Sequence, residues 1–264
     1  MTDTGRIVAV TGASSGIGLA AARLFRDRGD KVYCLSRTDP KEPGITFIHT
    51  DVTDEASVNA AFGAIGKAEG HIDVLLSNAG IGVSGAAECT TMQDTKRQLD
   101  VNFFGLHACV RAAVPLMRAH GGTILATSSV AAVFAIPFQA FYSASKFAVN
   151  ALVLALANEL KPFNIRVAAI MPGDVKTGFT GARIKAEDDD NYGQSVEKSV
   201  AVMEHDEQNG MGPEMIAKRF VALSLKKHPK VLSTVGLQYK FFCFLGKVLP
   251  IRLQNFIVGK MYIK

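Results

Sequence analysis

The sequence predicts an α/β fold, a doubly wound parallel sheet with helices on both faces. Three observations carry this. Short β-branched apolar runs alternate with longer amphipathic stretches, a glycine cluster follows the first run directly, and 264 residues with 48% hydrophobic content suit a single buried core. The strand-like runs are RIVAVT (6–11), KVYCLS (31–36), ITFIHT (45–50), IDVLLS (72–77), GTILATS (122–128) and IRVAAIM (165–171). Helical periodicity falls between them, near 16–29, 54–69, 92–119 and 141–161. Alternation of this kind gives parallel strands joined by right-handed crossovers. The segment 178–212, with the acidic run EDDD and weak periodicity, reads as a mobile substrate-loop insertion over one edge. KVLSTV (230–235) is a candidate last strand, and 236–264 reads as a basic, apolar extension of the same domain.

Charge is unevenly spread. The net +5 divides into −5 over the first 214 residues and +10 over the last fifty, where no acidic residue follows Glu214. The four cysteines lie far apart, without a CxxC pair or a metal-like spacing to histidine, so no metal site is expected. The opening MTDTGRIVAV has no charged leader before a long apolar stretch, and FFCFLGKVLPI near the end is too short to span a bilayer. A cytoplasmic setting is the simplest expectation.

Gly12, Gly16 and Gly18 give the spacing GxxxGxG in the turn between the first strand and the first helix. That is neither a phosphate-loop pattern nor GxGxxG, yet the physics is that of a dinucleotide site. Glycines let the backbone approach a pyrophosphate, and the helix start offers free amides and a positive dipole end. A ligand-free turn is the competing reading. After the second strand stand Ser36 and Arg37 rather than a carboxylate. Arg37 can pair with a 2′-phosphate, so NADP(H) is favoured over NAD.

Tyr142 and Lys146 are i and i+4 on one helix face, with small residues between them. A phenol with pKa ~10 is a poor acid or base near neutrality, and a neighbouring ammonium lowers that value. Ser129, at the end of a strand, is placed to hold a substrate carbonyl, although its neighbour Ser128 competes for that role. Asn78 and Gly173 also follow strand ends, where ligands bind in open sheets. Asn102, read on its own, is a polar helix residue serving backbone groups.

Taken together, TGASSGIG (11–18), DV (51–52), SNAG (77–80), VNFFG (101–105), SS (128–129), YSASK (142–146) and PGDVKT (172–177) resemble the short-chain dehydrogenase/reductase family. They run in family order over about two thirds of the chain. The resemblance implies a Rossmann fold and a catalytic tetrad of Asn102, Ser129, Tyr142 and Lys146. Tyr142 would exchange the proton, Ser129 polarise the substrate oxygen, Lys146 bind the nicotinamide ribose, and Asn102 hold a water. The implied cofactor set is Gly12, Ser14, Ser15, Gly16, Ile17, Gly18, Arg37, Asp51, Val52, Asn78, Ala79, Gly80, Tyr142, Lys146, Pro172, Gly173, Val175 and Thr177. Ser77 departs mildly from relatives that carry a second asparagine there. The Tyr-x3-Lys spacing argues against the enoyl-reductase branch. PFQAFYSASKFAVNAL is most similar to members acting on hydroxysteroids, retinoids or other bulky apolar alcohols.

Two function classes follow. One is an NADP(H)-dependent oxidoreductase for a ketone and secondary alcohol on a bulky apolar substrate, with a 3-oxoacyl thioester reductase as its rival. The other is a non-catalytic NADP(H) sensor of the same fold. The tail has three readings: packing on the domain or a subunit interface, peripheral contact with an anionic membrane, and, last, nucleic-acid binding, for which no recognised motif is present. A homodimer or homotetramer through the helices at 92–119 and 141–161 is implied by the resemblance.

Overall fold

The computed structural model describes residues 5–186 and 190–263; most of the acidic run EDDD, at 187–189, lies outside the described residues. The chain opens with β1 (Ile7–Thr11), α1 (Gly16–Asp27), β2 (Lys31–Ser36), β3 (Ile45–His49) and α2 (Glu55–Glu69). Next come β4 (Val74–Ser77), β5 (Val83–Ser84), α3 (Met92–Leu99), a π-helical turn (Asp100–Phe104), α4 (Gly105–Met117) and β6 (Gly122–Thr127). The rest is α5 (Ala140–Glu159), β7 (Ile165–Met171), β8 (Ile184–Lys185), α6 (Ser195–Gln208), α7 (Pro213–Ser224), β9 (Leu232–Thr234), α8 (Leu237–Val248) and α9 (Ile251–Tyr262).

Seven strands pair in parallel in the order β3-β2-β1-β4-β6-β7-β9, so the fold is the doubly wound sheet expected. The inner strand β1 is buried at every residue, as continuous apolar runs in a sheet covered on both faces must be. One face packs Phe62, Ile65 and Leu106 from α2 and α4 together with Val149 and Val153 from α5. The other packs Phe25 of α1 against Ile216 and Phe220 of α7. Each fully buried phenylalanine contributes on the order of 2 kcal/mol. Local signals set the helix ends. Asp54 accepts the Ala56 amide at 2.9 Å to start α2, and Gly70 at φ +76 stops it.

The strand order reverses between β1 and β4, and this opens a crevice at the carboxyl ends of the sheet. Two segments differ from the sequence reading. The single helix expected over 92–119 is interrupted by the π turn, where the Gly105 amide bonds to Asp100 O. The insertion at 178–212 does not read out as a weakly structured edge loop. It holds β8, which pairs with β5, and the 14-residue helix α6, whose Met203, Asp206 and Glu207 face the crevice.

Candidate active site

The crevice is a cleft of about 1150 Å³ running from the α1 start to the C-terminal helices. At one end the turn after β1 takes positive φ at Gly12 (+63) and Gly16 (+53), conformations that side-chain-bearing residues resist. A Cβ on Gly18 would lie 2.4 Å from Gly12 O and 2.6 Å from Asn78 Nδ2. The amides of 16–18 open α1 with no intrahelical carbonyl to meet, and Ser15 makes no side-chain cap. Such an end suits a pyrophosphate, and Ser14, Ser15 and Ile17 line it as well. Asn78 ties this turn to the sheet, donating to Gly12 O at 3.3 Å and accepting from Thr127 Oγ1 at 3.0 Å. Thr11, which the sequence did not single out, receives the Asn78 and Ala79 amides at 2.9 and 3.2 Å.

Arg37 stands exposed on the cleft wall beyond β2, while Ser36 is buried and donates to Thr38 O at 2.7 Å. Asp51 and Val52 lie beside them. Burial alone would raise the Asp51 carboxyl, but the Thr53 amide and hydroxyl, with Arg37 and His49, hold it below the usual range.

Tyr142, half-buried on the first turns of α5, hydrogen-bonds to Ser129. Burial pushes the phenol up to about 12, and the Ser129 hydrogen bond works against that push. Lys146 is buried and donates to Thr127 O at 2.9 Å, with its Nζ 5.7 Å from the Tyr142 ring centroid. Burial brings its ammonium down to about 8. The sequence reading had Lys146 lowering the tyrosine; with Nζ turned to the Thr127 carbonyl, burial governs both groups instead. The two serines part here: Ser128 donates to Asn150 Oδ1 at 2.7 Å, whereas Ser129 hydrogen-bonds to the tyrosine.

Asn102 sits in the π turn. It donates to Ile81 O and to Ser145 Oγ, each at 3.1 Å, and accepts the Ile81 amide at 2.9 Å. Gly80 lies between Asn102 and Lys146: a Cβ there would be 3.4 Å from Asn102 Oδ1 and 3.8 Å from Lys146 Nζ. Across the cleft, Pro172 O accepts the Val130 amide at 2.9 Å, Val175 is buried, and Thr177 packs against Gly16.

The sequence reading missed the roof. Tyr239 of α8 covers Gly173 so closely that a Cβ would fall 2.0 Å from its ring. Its hydroxyl donates to Asp174 Oδ2 at 2.7 Å and accepts the Asp174 amide at 3.0 Å. Phe179 lies beside Tyr142, its ring tilted by 54° with centroids 5.9 Å apart, and the buried Arg183 pairs with Glu207 of α6. Phe242 and Leu245 of α8, with Ile257, Val258 and Met261 of α9, finish an apolar wall. The sequence reading had 178–212 as a substrate loop and packing on the domain among the tail's readings, but it singled out none of these residues, because apolar spacing does not tell an inward face from an outward one.

Residues 6–188 match the family described as short chain dehydrogenase. The chain is 38% identical over 236 residues, 88% of each protein, to the 3-ketodihydrosphingosine reductase of Bacteroides thetaiotaomicron. Among solved structures, a short-chain dehydrogenase from Streptomyces avermitilis superposes with a TM-score of 0.86 at 27% identity, covering 98% of both chains. The 3-ketoacyl-(acyl-carrier-protein) reductase of Brucella melitensis, complexed with NADH, gives 0.75 at 25% identity over 89% of this chain and 98% of its own. The glycine turn, the cleft at the strand-order reversal and these matches lead to one assignment: the chain belongs to the short-chain dehydrogenase/reductase family, oxidoreductases that use a nicotinamide cofactor.

Proposed function

We propose that this oxidoreductase uses NADP(H) to interconvert a ketone and a secondary alcohol on a bulky, apolar substrate. One observation carries the reading: Tyr142, bonded to Ser129 and one turn from buried Lys146, faces a cleft whose far wall is apolar. The reduced nicotinamide, when bound, supplies the hydride to the carbonyl carbon. Tyr142 gives its Oη proton to the carbonyl oxygen, which Ser129 holds by a donated hydrogen bond. Lys146 would hold the nicotinamide ribose beside the phenol, and Asn102 the water through which that proton is restored. In alcohol oxidation the same groups run in reverse. With burial holding Tyr142 up to about 12, the phenol is protonated at neutral pH, the form that ketone reduction consumes.

Arg37 supports NADP(H), because its exposed guanidinium at the end of β2 is free to pair with a 2′-phosphate. Asp51 and Val52 would flank the adenine of the bound cofactor, and Val175 and Thr177 would hold its carboxamide. Within the apolar class, hydroxysteroids and retinoids stand beside a 3-ketodihydrosphingosine-like ketone, which the 38% relative favours. A 3-oxoacyl thioester is the rival substrate, supported by the Brucella neighbour. We further propose a homo-oligomer joined through the helices at 92–119 and 141–161, where Met92, Phe147 and Leu154 stand exposed, and a reducing cytoplasm, which suits four cysteines scattered without a paired spacing.

The test is oxidation of NADPH and NADH with 3-ketodihydrosphingosine, ketosteroids, retinal, acetoacetyl thioesters and small ketones, run beside Tyr142→Phe. Turnover of one class with NADPH, lost in the variant, supports the reading. Tight NADPH binding without turnover of any class would replace it with the sensor.

A further inference from the structure

The two C-terminal helices carry two different apolar faces. The inner face roofs the cleft. The outer face of α8 is a stripe at i, i+4, i+7 and i+11: Leu237, Phe241, Phe244 and Val248, each more than half exposed. Ile251 (69% exposed) and Phe256 (62%) extend it onto α9. Among the described residues, seventeen large hydrophobic side chains are exposed and ten lie from Leu237 onward; even without Ile257 and Met261, which line the cleft, eight remain, so the exposure is concentrated rather than scattered. Lys240, Lys247, Arg252 and Lys260 stand exposed beside the stripe, and no acidic residue occurs anywhere in these helices.

That charge pattern selects the occupant. A second copy of this face would set cations against cations, and a neutral groove would leave them without partners. An anionic lipid surface meets both features, taking the aromatics into the headgroup boundary and the lysines among the phosphates. The hairpin is built to act as one plate. Buried Gln254 of α9 donates to Gly246 O and Leu249 O at 3.1 and 2.7 Å, closing the end of α8. A Cβ on Gly246 would lie 2.4 Å from Val133, so α8 rests directly on the loop that follows Ser129.

We infer that the α8–α9 hairpin docks the protein onto bilayers containing anionic lipid and delivers an apolar substrate from the bilayer into the cleft beneath it. The delivery clause rests on the oxidoreductase reading above; the docking clause does not. The experiment is flotation of the full chain with vesicles of phosphatidylcholine alone and of phosphatidylcholine mixed with phosphatidylglycerol. Binding is expected to the mixed vesicles only and to fall as salt rises. Lys240→Glu with Lys247→Glu should weaken it at least about thirtyfold, from ~1 kcal/mol per surface cation. Phe241→Ser with Phe244→Ser should also release the protein while leaving turnover of a water-soluble ketone unchanged. Three results would overturn the inference: no flotation with mixed vesicles, flotation unaffected by either pair of substitutions, or a vesicle-free dimer that the serine variants convert to monomer. Because flotation needs no catalysis, its failure leaves the oxidoreductase reading standing. Failure of turnover with docking intact strikes only the delivery clause.

Discussion

The two ends of the cleft are built on different principles. The floor, from Gly12 to Lys146, is held by main-chain geometry: positive φ at Gly12 and Gly16, a turn pinned by Asn78 and Thr11, and a π turn carrying Asn102. The roof, from Phe179 to Tyr262, is held by side-chain faces, with Tyr239 on Gly173, Phe179 beside Tyr142, and α9 tied to α8 through Gln254. Where the backbone must do something unusual, few residue types serve. Where a face needs only to be apolar and of the right size, many serve. On the proposed function, chemistry belongs to the half held by the backbone and substrate choice to the half held by side-chain faces.

The largest test of that contrast is Tyr142→Phe. It removes the proton donor without changing the ring, and should lower turnover about 10³-fold while leaving NADPH affinity and melting temperature unmoved. Gly18→Ala strikes the floor itself. A Cβ 2.4 Å from Gly12 O forces the turn apart, which should cost about 2–3 kcal/mol in denaturant unfolding and abolish cofactor binding. Arg37→Glu should raise the KM for NADPH about thirtyfold and leave that for NADH nearly unchanged, as loss of a charge-assisted pair implies. In the roof, Tyr239→Ala should raise the KM of a bulky ketone about tenfold while barely changing that of a small one. An equal effect on both would mean that the roof, too, serves the chemistry.

The pH dependence sharpens the same point at smaller scale. Alcohol oxidation needs the phenolate, so with Tyr142 raised to about 12 its rate should climb with pH through the neutral range. Ketone reduction uses the protonated phenol and should hold level, then decline as Lys146 loses its charge above about 8. Paired pH–rate profiles in the two directions check this; parallel profiles would contradict it.

The contrast also explains what could be read in advance. The parallel, doubly wound sheet follows from alternating apolar runs, though its strand order does not, and the floor residues are marked because glycine, asparagine and a Tyr–Lys pair at i, i+4 are hard to replace there. The π turn was hidden inside a helical periodicity that continues across it from Met92 to Met117. Helix α6 was hidden because Val196, Val200 and Met203 bury a thin stripe in an otherwise charged segment. Assigning Ser129 over Ser128 needed Asn150, twenty-two residues further along, to claim the other hydroxyl. Tyr239 was invisible for the same reason: its partner Asp174 lies sixty-five residues away.

The joint between the two halves is narrow. The sheet ends at β9, where Thr234 Oγ1 bonds to Met171 O at 2.5 Å, and two residues later Gly236 turns the chain at φ +86 into α8. Beyond that glycine a single covalent link joins the roof to the sheet, and the rest of its attachment is packing: Tyr239 on Gly173 and Asp174, and Gly246 against Val133 in the loop after Ser129. The roof is therefore exchangeable only together with those contacts. A graft of 237–264 onto a relative should move specificity only where the relative keeps a glycine at the place of Gly173 to receive the tyrosine ring.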